Sequence, residues 1–132
     1  MKTNHQHQSK QATLEYVNAM NQRHKKSLYH FDEKHSTNEV IPLSAYSDGD
    51  LHTASVYLKD IEQLCVGVKT GLYDYETFKT IMASKLLDDY SRFENFINNE
   101  RIARNWPLLY SRFEDVVKRL KKDKTLRAHD RP

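Results

Sequence analysis

The chain has little of what breaks or staples a polypeptide. Only three glycines and three prolines occur in 132 residues, which disfavours a turn-rich all-β fold and favours long uninterrupted elements. A single cysteine, Cys65, excludes an internal disulfide framework and suits a reducing compartment. No apolar run approaches the roughly 20 residues that span a bilayer. The opening Met1-Lys-Thr-Asn-His-Gln-His-Gln-Ser-Lys lacks the apolar core of a secretory signal. A cytoplasmic protein without membrane contact is the expectation. Catalytic punctuation is missing too: there is no HExxH, no CxxC and no Walker loop. Val66-Gly-Val-Lys-Thr-Gly is superficially like a phosphate loop, but it has three residues between its glycines and a lysine ahead of the second, whereas the loop needs four and then Lys-Ser/Thr.

What is present suits one helical domain. Apolar residues make up 38%, charged residues 30% and aromatics 11%, too rich in Tyr, Phe and Leu for a disordered chain. The net charge of +3 is uneven. Lys118 to Arg131 carries seven basic residues against Asp123 and Asp130, a net of +5, and leaves 14 basic and 16 acidic residues elsewhere.

Leu51, Ala54, Leu58, Ile61, Cys65 and Val68 step by 3, 4, 3, 4 and 3, which puts all six on one helical face. Tyr57 and Leu64 widen that face. Ser47-Asp48-Gly49-Asp50 supplies cap chemistry ahead of it, and Gly71 suits the left-handed position behind it. Asp74 is the expected cap of the next helix, whose stripe Phe78, Met82, Leu86, Tyr90, Phe93 and Ile97 predicts one long element from about Tyr75 to about Glu100. Asn98-Asn99 and Arg104-Asn105 are alternative stops. Asn105-Trp106-Pro107 reads as the start of a last helix, because proline is tolerated in a first turn; Leu109, Phe113, Val116, Val117 and Leu120 form its stripe. A weaker pattern at Leu14, Val17 and Met20 predicts a first helix from about Lys10 to Leu28. Pro42 pushes the stretch from His30 to Ser47 toward a linker that lays Val40, Ile41 and Leu43 on the core, with a helix starting near Leu43 as the alternative.

These readings give an all-α fold: a small antiparallel bundle of three to four amphipathic helices. Residues 1–9 are a frayed, disordered leader, 10–122 a single helical bundle domain and 123–132 a flexible basic tail.

Several stretches also resemble a family. Gln11-Ala-Thr-Leu-Glu-Tyr-Val-Asn, the block from Tyr57 to Asp74 with its paired glycines, and Met82-Ala-Ser-Lys-Leu-Leu through Ile97 are similar to a set of small bacterial and phage proteins known only as a domain of unknown function. Arg101 and Trp106-Pro-Leu-Leu-Tyr continue the resemblance, which covers roughly residues 11–121. It implies a helical fold and a link to phages and mobile elements, and it lends no catalytic residues. Members often carry an N-terminal membrane helix, from which this sequence departs.

Candidate chemistry is sparse. His5, His7, His30 and His35 lack the convergent Cys or His set of a zinc site, so no metal and no cofactor are expected. Cys65 lies on the core stripe and reads as a buried hydrophobe rather than a nucleophile. Asp88 and Asp89 diverge by about 100° on a helix and read as a solvated acidic face. Gly67 reads as room for a neighbouring helix. Tyr73, Tyr75, Trp106 and Tyr110 flank the interhelical turns, where such residues either seal a bundle or anchor a protein interface. Lys118, Arg119, Lys121, Lys122, Lys124 and Arg127 form a run that would give salt-sensitive, sequence-blind contact with phosphates. The expectation is a non-enzymatic protein–protein interaction module, an inhibitor or accessory factor of a phage or mobile element. Its partner is another protein or a second copy in a homodimer that buries the excess at Tyr57 and Leu64. The alternative is a nucleic-acid-associated protein using the basic tail.

Overall fold

The computed structural model describes the backbone of residues 2–130 and the side chains of residues 5–124. Among them are five α-helices and one short 3-10 turn, with no strand. Helix α1 spans Lys2–Lys34, α2 Asp48–Thr70, α3 Tyr75–Arg92, α4 Glu94–Ala103 and α5 Ser111–Asp130, and the 3-10 turn is Leu43–Ala45.

The strong sequence signals produce the elements they promised. Ser47 caps α2 by a reciprocal pair of hydrogen bonds: Asp50 N–H donates to Ser47 Oγ at 3.1 Å, and Ser47 N–H donates to Asp50 Oδ2 at 3.1 Å. Two orphan amides are thereby satisfied. Gly71 ends α2 at φ 82°, a conformation that costs a residue with a Cβ. Asp74 then caps α3, accepting from Thr77 N–H at 2.9 Å and Thr77 Oγ1 at 2.7 Å. Ala54, Leu58, Ile61, Cys65 and Val68 are buried as expected, while Leu51 is partly buried.

Helix α2 is the centre of the bundle. Helix α1 runs antiparallel to it: Tyr16 reaches Asp60 and His30 reaches Asp50. Helix α3 returns antiparallel on the far side of the Gly71 turn. Helix α5 runs beside α2 in the same direction, with Glu62 accepting from Phe113 N–H at 2.8 Å and Lys69 paired with Asp115 at 2.5 Å. The short α4 turns the chain so that α5 can do this.

Several boundaries differ from expectation, each for a tertiary reason. Helix α1 begins at Lys2 and reaches Lys34, well beyond the stretch its apolar period predicts. Its buried face is partly polar: Ser9, Thr13, Val17, Met20, His24 and Phe31 face inward, whereas Leu14 is 43% exposed. Ser9 Oγ donates to Leu72 O at 3.2 Å, and Thr13 Oγ1 accepts from Asp74 N–H at 2.8 Å. The leader is thus engaged with the α2–α3 turn from Ser9 onward. Helix α5 is assigned as Ser111–Asp130, past Leu120, the last residue of its apolar stripe.

The long helix expected from Tyr75 to about Glu100 is two helices. Arg92 O accepts from Ile41 N–H at 2.9 Å, so a linker amide takes an acceptor that a continuous helix would use internally. Phe93, buried at the break, packs edge-on against Phe31 with ring centres 5.3 Å apart. Of Val40, Ile41 and Leu43 only Ile41 is buried; Val40 and Leu43 stay 48% and 43% exposed, while Tyr46 packs against Phe31 and Phe96. Pro107 stands in a turn ahead of α5, whose first helical residue is Ser111. Tyr57 and Leu64 are buried within the chain, so the excess apolar face offered as the reason for a dimer is consumed by the fold itself.

Candidate functional surfaces

Polar chemistry inside the bundle concentrates on the two sides of α1. Toward α2, Asp60 accepts from Tyr16 Oη at 2.5 Å and from Arg23 Nη2 at 2.9 Å, and lies 2.7 Å from His24 Nε2. Burial of Asp60 opposes its ionisation, yet the bonds from Tyr16, His24 and Arg23 outweigh this and hold its carboxyl below the usual range. Every charged group there has a partner. Toward α3, Asp89 is buried, accepts from Tyr57 Oη, and has Lys85 Nζ 3.6 Å away. Burial pushes its carboxyl up, against the pull of Lys85 and Tyr57. The expected solvated acidic face at Asp88 and Asp89 is therefore wrong for Asp89, which points into the protein.

Cys65 is fully buried and burial raises its thiol pKa, the opposite of a reactive cysteine. Gly67 is needed for close approach, but the approaching group is the ring of Tyr73. A Cβ at position 67 would stand 2.3 Å from that ring. Among the described residues, no three His, Cys, Asp or Glu side chains are placed to hold a metal ion.

The four aromatics singled out by sequence divide. Tyr73 packs on Tyr16 with ring centres 5.3 Å apart. Tyr75 donates to Asp123 Oδ2 at 2.5 Å, and the Arg119 guanidinium lies 3.4 Å from the centre of its ring. Tyr73 is built into the joint between α1 and α2, and Tyr75 into that between α3 and α5. Tyr110 is only 2% exposed and belongs to the core. Trp106 alone stands out, 53% exposed, and among the described residues no ring pair joins it to the other three.

Trp106 is not isolated, however. Ile102, in the last turn of α4, is 82% exposed and Leu108, in the connection to α5, 67%. Sequence reasoning placed Leu109 on the inward stripe, where it is found, but gave no signal that Ile102 and Leu108 would be displayed together with Trp106. The turn itself is tightly held. Asn105 N–H donates to Ile102 O at 3.1 Å, Trp106 N–H to Arg101 O at 2.9 Å, and Arg101 Nε to Leu109 O at 2.7 Å. Asn105 and Tyr110 adopt φ of 50° and 62°, an uncommon conformation for residues with a Cβ, tolerated best by Asn. Arg101 also pairs with Glu114 at 3.0 Å. Three large apolar side chains are thus displayed on a braced turn, with Arg104 and Arg112 exposed at its rim.

The basic run lies along an exposed side of α5. Lys118, Arg119, Lys121, Lys122 and Lys124 are all exposed. Lys118 pairs with Glu114 at 3.3 Å, and Arg119 is engaged by Tyr75. Arg127 lies outside the residues whose side chains are described. No described helix is long and apolar enough to cross a membrane.

Comparison with known sequences bears on the whole of this arrangement. Residues 1–120 match the model of a family described as "Domain of unknown function (DUF4760)". The chain belongs to that family, in keeping with the resemblance seen along its helices. No curated protein and no solved structure matches the chain.

Proposed function

We propose that this member of the family is a non-enzymatic helical interaction module that docks on another protein through the α4–α5 turn, as an accessory factor or inhibitor carried by a phage or other mobile element. The observation that carries the reading is the exposure of Ile102, Trp106 and Leu108 together on one braced turn. Burying such side chains stabilises a complex by about 1.5–3 kcal/mol each, and a preformed turn avoids the ordering cost of a flexible loop. Arg104 is already paired with Glu100 at 2.7 Å, so the rim charge at Arg112 sets the partner's chemistry: an apolar cleft with an acidic side chain at its border. The origin in a phage or mobile element rests on the family resemblance alone.

The test is co-purification from the native host of the wild-type chain and of Trp106→Ala and Leu108→Ser variants, each with matched helical content. A protein retained by the wild type and lost from both variants supports the reading. An identical set retained by all three would overturn it. Capture that vanishes on nuclease treatment, and on truncation after Asn105-to-Leu120 is left intact, would instead assign the binding to the basic stretch of α5. Light scattering on the same samples identifies a second copy as the partner if mass halves in the Trp106 variant.

A further inference from the structure

The groove between α1 and α3 holds two connected cavities, of about 600 and about 310 Å³, which share Leu28, Asp32 and Lys85 as walls. Buried polar groups without hydrogen-bond partners lie along both. Arg92, which lines the smaller cavity, is 2% exposed. Its Nη1 donates to Asp32 Oδ1 at 2.7 Å, but its Nε and Nη2 have no partner among the described residues. Asn21, which lines the larger cavity, keeps its buried Oδ1 without a donor. Leaving such groups unsatisfied costs about 1–3 kcal/mol each, and of the residues so left Asn21 and Arg92 both stand on the walls of this one groove.

The unpartnered groups define its chemistry. Nε and Nη2 form one edge of the guanidinium, a fork whose two parallel N–H groups match the two oxygens of a single carboxylate. Lys85, on the shared wall and 3.6 Å from Asp89, stands as a second cation beside the fork. Asp32, Asp88 and Asp89 line the same smaller cavity, which disfavours a multiply charged anion such as phosphate and favours a monoanion. Leu28 and Tyr29 give the larger cavity an apolar wall, and Asn21 Oδ1 at its far end requires a donor. Asn21 and Asp32 are eleven residues apart on α1, about 16 Å at 1.5 Å per residue.

We propose that this groove binds an organic monocarboxylate with an extended apolar body and a hydrogen-bond donor at its far end, the carboxylate seated on Arg92. Asp32, 42% exposed at its side chain, turns out to water as the ligand arrives, and exposed Thr37 yields with it. Such a carboxylate is carried by a free acid of medium chain length or by the C-terminus of an apolar peptide.

The experiment follows the Arg92 Nε–H resonance of the isotope-labelled full chain during titration. The probes are decanoate bearing a terminal hydroxyl, decanol, and an apolar tripeptide with either a free or an amidated C-terminus. Saturable shifts with the hydroxylated acid or the free-acid peptide, and none with decanol or the amide, support the site; which acid binds identifies the source. Affinity drops by about tenfold or more in Arg92→Met. Tyr29→Ala, which leaves the fork intact, weakens binding of the same probe and so guards against a merely misfolded Arg92 variant. No response to either carboxylate, an equal response to decanol, or undiminished affinity in Arg92→Met would overturn the proposal. Trp106→Ala retains wild-type affinity here, which keeps this site's failure distinct from that of the α4–α5 surface.

Discussion

On its α2 side, helix α1 gathers Tyr16, Arg23 and His24 around one carboxylate, Asp60; on its α3 side, it sets Asp32 against Arg92 and leaves two of that guanidinium's nitrogens bare. Both seams set acidic against basic residues across a pair of helices. The first is saturated: each donor meets the shared acceptor, so the charges bind helix to helix and nothing remains for a ligand. The second is incomplete and hollow, and an incomplete buried network stabilises poorly while offering directional groups to something else. Polar residues between helices therefore differ in meaning according to whether their bonds close.

The sharpest way to break this contrast is to cut each network at its hub. Asp60→Ala leaves Tyr16, Arg23 and His24 without their acceptor and is expected to cost about 3 kcal/mol in urea unfolding. Arg92→Met keeps the length of the side chain and removes unpartnered donors, while Asp32 returns to water; its cost is expected to stay within about 1 kcal/mol. Equal losses in the two variants would mean that the α3 seam is as structural as the α2 seam.

Acid sharpens the comparison further, since the half-buried Asp60 and the buried Asp89 shift in opposite directions. Asp60 is held below its ordinary value, so its contribution is complete above the ordinary carboxylate range and is lost as pH falls through its depressed folded value. Asp89 is pushed above its ordinary value, so its cost is absent in acid and grows as pH rises from the ordinary to the raised value. Asp60→Asn should accordingly flatten the loss of stability below about pH 4, whereas Asp89→Asn should gain relative to wild type as pH rises toward neutrality. Thermal unfolding across a pH series checks both signs. The smallest effect is expected away from either seam: Trp106→Ala should change stability by no more than about 0.5 kcal/mol, because its ring is half exposed, and a larger loss would place Trp106 in the scaffold.

Much of the scaffold was legible before any coordinates. Gly71, Asp74 and the Ser47–Asp50 pair act locally, through backbone conformation and bonds spanning three residues, so their chemistry is readable in place. The stripe from Ala54 to Val68 is legible for the same reason, as helical period is a local property. The candidate surfaces were harder. Trp106 was identifiable by type, but Tyr110 beside it is core, and Ile102 and Leu108 gave no signal because nothing local distinguishes an apolar residue that packs from one that does not. Asp89 reads as part of a solvated acidic face until Tyr57 packs over it, and nothing in the sequence singles out Arg92.

By itself, then, the sequence determined that the chain is helical, where α2 starts and stops, and which face of α2 is buried. Tertiary structure alone decided that the helix after Asp74 breaks at Phe93, since the cause is the Ile41 amide, some fifty residues upstream, bonding to Arg92 O. It also decided that the polar face of α1 turns inward and that Arg92 is left half satisfied. Helical period and capping are set within a turn or two of chain, whereas the partner of a buried donor is chosen by whichever distant segment packs over it.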